Sequence, residues 1–317
     1  MMYNYIGIDI GGTKCAAVLG DSDGKVLEKV KIPTGSAEET ICILLDASEK
    51  MIKESAQAVK SVGISCGGPL DPVRGIIQSP PNLPGWDDIK VTDMFEKRLG
   101  IPAYLCNDAN ACALAEWKFG AGKGTKNMVF LTFGTGMGAG IIIDGKIYNG
   151  ANGNAGEVGH IRLAEHGPVG YGKEGSFEGF SSGGGIAMLA RTAAIEKLQQ
   201  GKKTAYCSSY GELDSVTAKS VADAARAGDE TAVAVYKTAA QMLGMGLSLL
   251  TDILNPEVIV IGSIYQRSHD LIEKYMDDVM RRECLTQTYS AVKVLPALLG
   301  DEIGDIAALT LAMEGGK

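Results

Sequence analysis

The stretch Tyr3-Asn-Tyr-Ile-Gly-Ile-Asp9-Ile-Gly-Gly-Thr-Lys14, continued by the apolar run from Cys15 to Leu19, decides the fold. Two apolar runs on either side of a glycine turn are typical of antiparallel strands joined by a tight hairpin. The dipeptide Asp23-Gly24 is a second hairpin signal, and it leads into a third predicted strand from Lys25 to Ile32. The chain therefore opens with a predicted three-stranded meander.

The same order of elements returns after the glycine-rich segment Gly120-Ala-Gly-Lys-Gly124. Strand, glycine turn, strand, Asp-Gly turn and strand are predicted in turn for Met128 to Phe133, Gly134 to Gly138, Ala139 to Ile143, Asp144-Gly145 and Lys146 to Tyr148. After each meander strands and helices alternate, which favours a mixed sheet flanked by helices. The sequence thus predicts an α/β protein built from two related halves.

The composition and charge of the sequence argue against several classes of binding partner. The 317 residues carry a formal net charge of -8 without a basic stripe, which argues against nucleic acid and anionic membranes as partners. The seven cysteines form no Cys-x-x-Cys pair, and the sequence has no targeting segment or long uninterrupted apolar span. We therefore expect a cytoplasmic protein with reduced thiols.

A carboxylate follows the apolar run from Ile101 to Cys106, in the stretch Asn107-Asp108-Ala-Asn110 that opens a predicted helix. The free N–H groups and the positive dipole end of a helix start favour an ionised aspartate there. Asp108 is therefore expected either to cap this helix or to accept a proton from a substrate. Taken alone, the pattern favours the cap.

The two glycine turns are candidate phosphate loops, because a turn without side chains lets backbone N–H groups approach an anion. Gly11-Gly12-Thr13-Lys14 adds a hydroxyl and an ammonium group, and Gly134-Thr135-Gly136 adds a hydroxyl. Each turn alone is better explained as a tight hairpin. Their equivalent positions in the two halves favour a clamp for a polyphosphate, with Asp9 holding Mg²⁺ through water.

The segment from Asn149 to Ser182 is glycine-rich and irregular, and it contains Glu157, His160, His166 and Glu178. Long segments of this kind are usually functional or disordered. It is the second region in which we expect a binding site.

Six motifs, in the right order, resemble the ROK family of repressors, open reading frames and sugar kinases. They are Asp9-Ile-Gly-Gly-Thr-Lys14, Asn107-Asp-Ala-Asn110, Gly134-Thr-Gly-Met-Gly-Ala-Gly140, Gly156-Glu-Val-Gly-His160, Asn255-Pro-Glu-Val-Ile-Val-Ile-Gly262 and Leu299-Gly-Asp301. The resemblance covers essentially the whole chain. It implies two actin-like (hexokinase-like, ribonuclease-H-like) α/β domains, with mixed sheets flanked by helices and an active-site cleft between the domains. We expect these domains at residues 1–119 and 120–301, the first completed by a C-terminal helix over residues 302–317.

Enzymes of the family transfer the γ-phosphoryl group of ATP to a sugar hydroxyl, often on glucose, N-acetylmannosamine, fructose or allose. Matched by position, the resemblance implies that Asp108 is the general base. The residues implied to contact the sugar are Gly68, Asn107, Glu157, His160 and Glu178. The residues implied to hold ATP and Mg²⁺ are Asp9, Gly11, Gly12, Thr13, Lys14, Thr135, Gly136 and Gly262.

One window departs from the family pattern. The zinc knuckle Cys-x-Cys-Gly-x-x-Gly-Cys-x-Glu here reads Val169-Gly-Tyr-Gly-Lys-Glu-Gly-Ser-Phe-Glu178, so all three thiolates are absent. A structural zinc ion needs four ligands, so we expect no zinc, with Glu165 and His166 as conceivable replacement ligands. We expect Tyr171 to pack into the space, and a carbonyl or carboxylate to orient His160 in place of the metal.

We predict an ATP-dependent sugar kinase, with glucose as the default acceptor and a homodimer or higher homo-oligomer as its assembly. The alternative is a catalytically inactive sugar sensor of the same fold, since the zinc loop has changed. A DNA-binding version is not expected, because the first strand starts at Tyr3. An actin-like structural protein is disfavoured, because it does not need Glu157, His160 and Glu178 around a sugar. The spacing of residues does not identify the sugar.

Overall fold

The computed structural model describes residues 3–315 of the chain. Residues 1, 2, 316 and 317, which the predicted domain ranges include, lie outside the described residues.

The strands in chain order are β1 Asn4–Ile10, β2 Lys14–Asp21, β3 Val26–Pro33, β4 Val59–Cys66, β5 Leu70–Asp71, β6 Ile76–Ile77, β7 Ile89–Lys90, β8 Ala103–Asn107, β9 Met128–Leu131, β10 Ala139–Ile143, β11 Lys146–Ile147, β12 Val169–Gly170, β13 Lys173–Glu174, β14 Val258–Ile261 and β15 Lys293–Pro296. The α-helices are α1 Ala37–Glu54, α2 Val91–Leu99, α3 Asp108–Phe119, α4 Phe177–Phe180, α5 Gly183–Gln199, α6 Ala218–Arg226, α7 Glu230–Leu254, α8 Ile264–Glu283, α9 Thr286–Ala291 and α10 Ile303–Glu314. Short 3-10 helices lie at Val158–His160, Tyr210–Ser215 and Gly300–Glu302.

Two five-stranded sheets form the framework, one with the order β3-β2-β1-β4-β8 and one with the order β11-β10-β9-β14-β15. In the first sheet β2 runs antiparallel to β1 and β3, whereas β4 runs parallel to β1 and β8. In the second, β10 and β11 are antiparallel and β14 and β15 are parallel. The two orders match strand for strand, which confirms the predicted α/β class and the repeated topology of the halves.

The shortest elements are not predicted by the sequence. The small sheets β5-β6-β7 and β12-β13 consist of two-residue strands, which are too short for an alternating pattern to appear. Helix α9 has six residues and none of them is buried, so it has no apolar face that a sequence pattern could reveal.

The described chain divides into two compact units. One unit contains the chain through Phe130, Gly140–Gly156 and the residues from Leu298 onward. The other contains Leu131–Ala139 and Glu157–Ala297. Helices α1, α2, α3 and α10 belong to the first unit, and α4 to α9 belong to the second. The domain ranges implied by the family resemblance stay a prediction.

Helix α7 is long and apolar enough to cross a membrane by length and hydropathy alone, but 56% of the apolar window is buried inside the protein. Leu243 and Leu247 are fully buried, whereas Leu249 and Ile253 are exposed. This division is that of a core helix with one uncovered face.

The first sheet is packed on both faces, and glycines make room on one of them. The isoleucines of β1 contribute to a core with α1 and α2. On the opposite face lies Gly7, where an added Cβ would be 2.9 Å from Leu309 N of α10. Gly63, its partner on β4, would place a Cβ into the carbonyl oxygen of Ala308. These two glycines let the backbone of α10 lie directly on the sheet.

A buried carboxylate ties α3 to the chain before α10. Glu116 is fully buried, and its Oε2 accepts a hydrogen bond from Ala121 N at 2.8 Å. Its Oε1 accepts from the backbone N–H groups of Leu298 and Leu299, each at 2.9 Å. A carboxylate is tolerated in a protein interior only where such donors satisfy it. This side chain therefore fixes α3 against the segment that leads into α10.

We expect Gly63→Ala to destabilise the first unit, because the added Cβ meets backbone atoms of α10 that have little room to move. The usual cost of overpacking is about 1–3 kcal/mol, which a lower unfolding temperature would show. Gly211→Ala is the matched control, since a Cβ there meets only Ser209 Oγ, at 3.9 Å. An unchanged Tm for Gly63→Ala would contradict the close packing of α10 on the sheet.

Candidate functional site

Asn107 and Asp108 lie at the junction of β8 and α3. Asn107, and not Asp108, caps the helix. Asn107 is the N-cap residue, and its side chain accepts a hydrogen bond from Ala109 N at 2.9 Å. Asp108 is the first helical residue, and its Oδ1 accepts from the same N–H at 2.8 Å. The interpretation of Asp108 as the cap is therefore wrong, because the helix begins one residue earlier than a cap at Asp108 requires.

The Asp108 carboxylate has an unusual environment for an exposed group. Water reaches the side chain, yet the surrounding protein removes much of its hydration. This loss of hydration raises the pKa of Asp108, and the N–H group of Ala109 offsets only part of the rise. A carboxylate whose pKa is raised toward neutral pH is a better proton acceptor than an ordinary one.

Asp9, at the end of β1, belongs to an acidic cluster with Asp108 and Asp305. Burial and the negative charges of Asp305 and Asp108 raise the pKa of Asp9 to about 6, against the effect of nearby lysines. A Cβ on Gly304, in the first turn of α10, would lie 2.9 Å from Asp9 Oδ2. Asp305 is itself paired with Lys29. Dehydration and like charges therefore both oppose ionisation of Asp9.

The first glycine turn is closed by hydrogen bonds that leave two of its amides unused. Gly11 N donates to Lys14 O at 3.1 Å, and Thr34 Oγ1 donates to Gly11 O at 2.6 Å. Within the described part of the chain, the backbone N–H groups of Gly12 and Thr13 have no hydrogen-bond partner. Two free amides at a glycine turn fit an anion such as a phosphate group.

Lys31 lies beside this turn, although it was not among the predicted site residues. The pairing of β2 with β3 puts Lys14 opposite Pro33, so that Lys31 shares a face with Lys14. Contact with the Lys14 ammonium group lowers the pKa of Lys31, although both side chains are exposed. An anion between these two groups would remove their repulsion. The alternation of Lys29 and Lys31 along β3 was the one signal in the sequence.

The loop of residues 79–86 lies against the same turn. A Cβ on Gly12 would be 2.7 Å from Asn82 O, and a Cβ on Gly67 would be 3.5 Å from Asn82 Nδ2. Gly68, an implied sugar contact, lies beside Asn107, because a Cβ on it would be 3.5 Å from Asn107 Nδ2. The first unit therefore brings the implied sugar contacts of this half close to the implied phosphate loop.

The second glycine turn resembles the first in its hydrogen bonding. Gly134 N donates to Gly136 O at 3.1 Å, which closes the turn. The N–H groups of Thr135 and Gly136 have no partner among the described residues. A Cβ on Gly134 would lie 3.9 Å from Ser263 Oγ, so the residue after Gly262 lies next to the turn. The second unit thus offers a similar pair of free amides.

The implied sugar contacts of the second unit lie on segments that pack against this turn. Glu178, the second residue of α4, accepts a hydrogen bond from Met137 N at 2.9 Å. Gly159 packs so closely on the turn that an added Cβ would overlap Met137 O. Gly159 lies between Glu157 and His160, both of which are exposed. The implied sugar contacts and the implied phosphate loop of this unit therefore form one packed region.

The part of the window around Tyr171, where the sequence departs from the zinc pattern, is open to solvent. Tyr171 is 75% exposed and meets the His160 ring edge-on, with ring centroids 6.5 Å apart. The packing expected of Tyr171 into a closed space is therefore wrong. In the described residues the His160 ring has no hydrogen bond, although its backbone oxygen accepts from Lys173 Nζ at 2.7 Å. His166 Nδ1 lies 3.5 Å from Glu174 Oε1, and no three His, Cys, Asp or Glu side chains between residues 3 and 315 are grouped as metal ligands.

Comparison with known proteins identifies the family of this chain. The ROK family model matches residues 5–314. The chain belongs to the ROK family. A glucokinase of Halalkalibacterium halodurans is 34% identical over 310 residues, which cover 95% of this ROK chain and 92% of that protein.

Solved structures of the family agree in fold. The ROK hexokinase from Thermus thermophilus has a TM-score of 0.83 to this ROK protein at 30% identity, covering 98% of both chains. A ROK family glucokinase from Streptomyces griseus, solved with glucose and AMPPNP, has a TM-score of 0.76 at 32% identity, covering 99% of this chain and 100% of that one. The predicted hexokinase-like fold is thus confirmed.

We expect Asp9→Asn to stabilise this ROK protein at neutral pH. The folded state holds Asp9 at a pKa of about 6, so it binds the proton more tightly than the unfolded chain does. The wild type should therefore lose stability as the pH rises from about 4 to about 6, and the neutral amide avoids that loss. The gain is at most about 3 kcal/mol, and solvent screening reduces it.

Thermal unfolding at pH 4 and pH 7 measures this effect, with Asp23→Asn in an exposed hairpin turn as the control. The Asp9 variant should gain in Tm at pH 7 and little at pH 4. An equal change at both pH values would show that the charge of Asp9 is not the cause.

Proposed function

We propose that this protein transfers the γ-phosphoryl group of ATP to a sugar hydroxyl, with Asp108 as the general base. The observation that carries the proposal is the setting of Asp108. It is an exposed carboxylate of raised pKa, close enough to Asp9 to affect its pKa, in a unit that also presents a glycine turn with free amides. Phosphoryl transfer needs positioning, charge stabilisation and a base aimed at the nucleophile.

In this proposal Asp108 takes the proton of the sugar hydroxyl as that oxygen forms its bond to phosphorus. The raised pKa strengthens Asp108 as a proton acceptor. Asn107 uses its Oδ1 to cap α3, so its Nδ2 donors remain for a sugar oxygen. The backbone of Gly68, next to Asn107, is a further contact for the sugar.

For each unit by itself, we propose that the free amides of its glycine turn are donors to phosphate oxygens, with Gly262 of the second unit near the nucleoside. Lys14 and Lys31 add positive charge beside the first turn. Mg²⁺ is usually held by one or two carboxylates together with phosphate oxygens and water, which Asp9 fits better than a closed cage of protein ligands. When bound, the ion neutralises charge on the phosphates.

Glucose is the proposed default acceptor, since the Halalkalibacterium halodurans relative is a glucokinase and the Streptomyces griseus glucokinase was solved with glucose. Glu157, His160 and Glu178 supply acceptors and donors for its hydroxyls. We place the reaction in the cytoplasm and expect a homodimer or higher homo-oligomer. Leu249 and Ile253 of α7 are exposed apolar side chains of the kind that a subunit interface covers.

The alternative function is a sugar sensor of the same fold without turnover. The open surroundings of Tyr171 and His160 favour it, because the His160 ring, a proposed sugar contact, has no hydrogen bond among the described residues that would orient it. The intact Asp108 and the free amides of both turns favour the kinase, because a sensor needs neither.

We expect Asp108→Asn to lower kcat by about 10²–10⁴-fold, the usual contribution of a general base, with little change in sugar affinity. Release of ADP over a panel of hexoses and amino sugars with Mg²⁺ measures turnover, and calorimetry measures sugar binding. Asp93→Asn, an exposed aspartate of α2, is the control and should keep the wild-type kcat. Absence of wild-type turnover on every sugar would favour the sensor. A wild-type kcat in Asp108→Asn would show that Asp108 is not the general base.

We expect Lys31→Ala to raise the KM for ATP about twofold to fivefold at low ionic strength, since an exposed charge contributes less than about 1 kcal/mol. High salt should reduce this difference, because it screens exposed charges. Lys25→Ala, an exposed lysine at the preceding hairpin turn, is the matched control. An equal change for both lysines would indicate a general loss of charge and not a phosphate contact.

A further inference from the structure

Glu178 holds the second glycine turn through one of its two carboxylate oxygens. Oε2 accepts the hydrogen bond from Met137 N at 2.9 Å. The same oxygen lies against Gly136, where an added Cβ would be 2.7 Å from it, and the three atoms nearest to that position all belong to Glu178. Oε1 has no hydrogen-bond partner in the part of the chain that the structure describes. One oxygen is therefore committed to the turn, and the other is available.

The side chain of Glu178 starts from a rigid base. The preceding Ser176 is fully buried and caps α4, accepting a hydrogen bond from Gly179 N at 3.1 Å. The Cβ of Glu178 also packs on Gly170, where an added Cβ would be 3.0 Å away. The position of the carboxylate is thus set before any ligand binds.

We propose that Glu178 is a positioning residue for the nucleotide in addition to being a sugar contact. This inference rests on the proposed kinase function, which makes the turn a nucleotide loop. A turn with several glycines loses much conformational freedom when it orders on a ligand. The charge-assisted hydrogen bond to Met137 N restricts the turn in advance, while the amides of Thr135 and Gly136 stay free for phosphate.

The two carboxylate oxygens of Glu178 have different roles in this proposal. Oε2 fixes the turn, and Oε1 is left to accept a hydrogen bond from a sugar hydroxyl. The sugar and the nucleotide therefore share one side chain. It follows that loss of this carboxylate affects nucleotide binding even when no sugar is present.

Nucleotide binding without sugar tests the proposal, because a residue that only contacts the sugar cannot change it. We expect Glu178→Ala to weaken binding of AMPPNP with Mg²⁺ on the order of tenfold, through loss of a charge-assisted hydrogen bond. Glu178→Gln keeps an oxygen that accepts from Met137 N and should stay within about threefold of the wild type. Glu196→Ala is the control, since it removes an exposed carboxylate near the C-terminal end of α5.

Gly136→Ala provides a second test. The backbone of Gly136 is outside the left-handed region, so alanine fits it, and the added Cβ would displace the Glu178 carboxylate. Gly136→Ala should therefore weaken sugar-free nucleotide binding as Glu178→Ala does. In a Glu178→Ala background, Gly136→Ala should weaken nucleotide binding little further, because the carboxylate is already absent. We expect strong non-additivity in this double-mutant cycle.

Wild-type nucleotide affinity in folded Glu178→Ala, or additive effects in the cycle, would overturn the positioning role and leave Glu178 as a sugar contact only. Thermal unfolding checks that each variant is folded. If Glu178→Ala does not fold, Gly136→Ala compared with Glu178→Gln decides, since unchanged affinity in Gly136→Ala would also overturn the role. A wild type that binds no AMPPNP and phosphorylates no sugar gives a different result, and it overturns the kinase function together with this role.

Discussion

The buried carboxylate of Glu116 is the constraint on which the first unit depends. Three backbone N–H groups satisfy it, one from the chain after α3 and two from the segment before α10. Loss of these three donors would leave the buried Glu116 carboxylate without hydrogen-bond partners, which is strongly destabilising. Both helices tied by this interaction begin at the site, α3 with Asp108 and α10 next to Asp9. An interaction in the core thus fixes the starts of the two helices that carry Asp108 and border Asp9.

The packing of α10 also determines the electrostatics of the site. Gly7 and Gly63 admit the helix backbone onto the sheet, which brings Gly304 against Asp9 and Asp305 close to it. The same close approach that buries apolar surface removes water from Asp9 and adds a second negative charge beside it. The raised pKa of Asp9 is therefore a by-product of how tightly the helix packs. Stability and site chemistry have a common origin in these glycines.

Much of the fold could be predicted because the long elements have clear patterns and each half repeats the same order. The site could be predicted as far as it lies in contiguous motifs, such as the glycine turns. Contacts between distant residues could not. Lys31 meets Lys14 only through the register of β2 and β3, and Met137 meets Glu178 across a sequence separation of 41. Neither local propensity nor periodicity carries this information.

Asn107 has a consequence for how this position can vary in evolution. Its amide oxygen accepts a hydrogen bond at the start of α3, and its amide nitrogen is the donor that the proposed function assigns to the sugar. Aspartate would cap the helix as well, but it would add a negative charge next to Asp108 and offer no donor. Serine and threonine also cap, but their single hydroxyl has no separate NH₂ group to present. Selection for helix stability alone permits several residues here, and selection for recognition alone permits others. Of the residues that cap a helix well, asparagine also has an NH₂ donor, so the two requirements together restrict this position to asparagine.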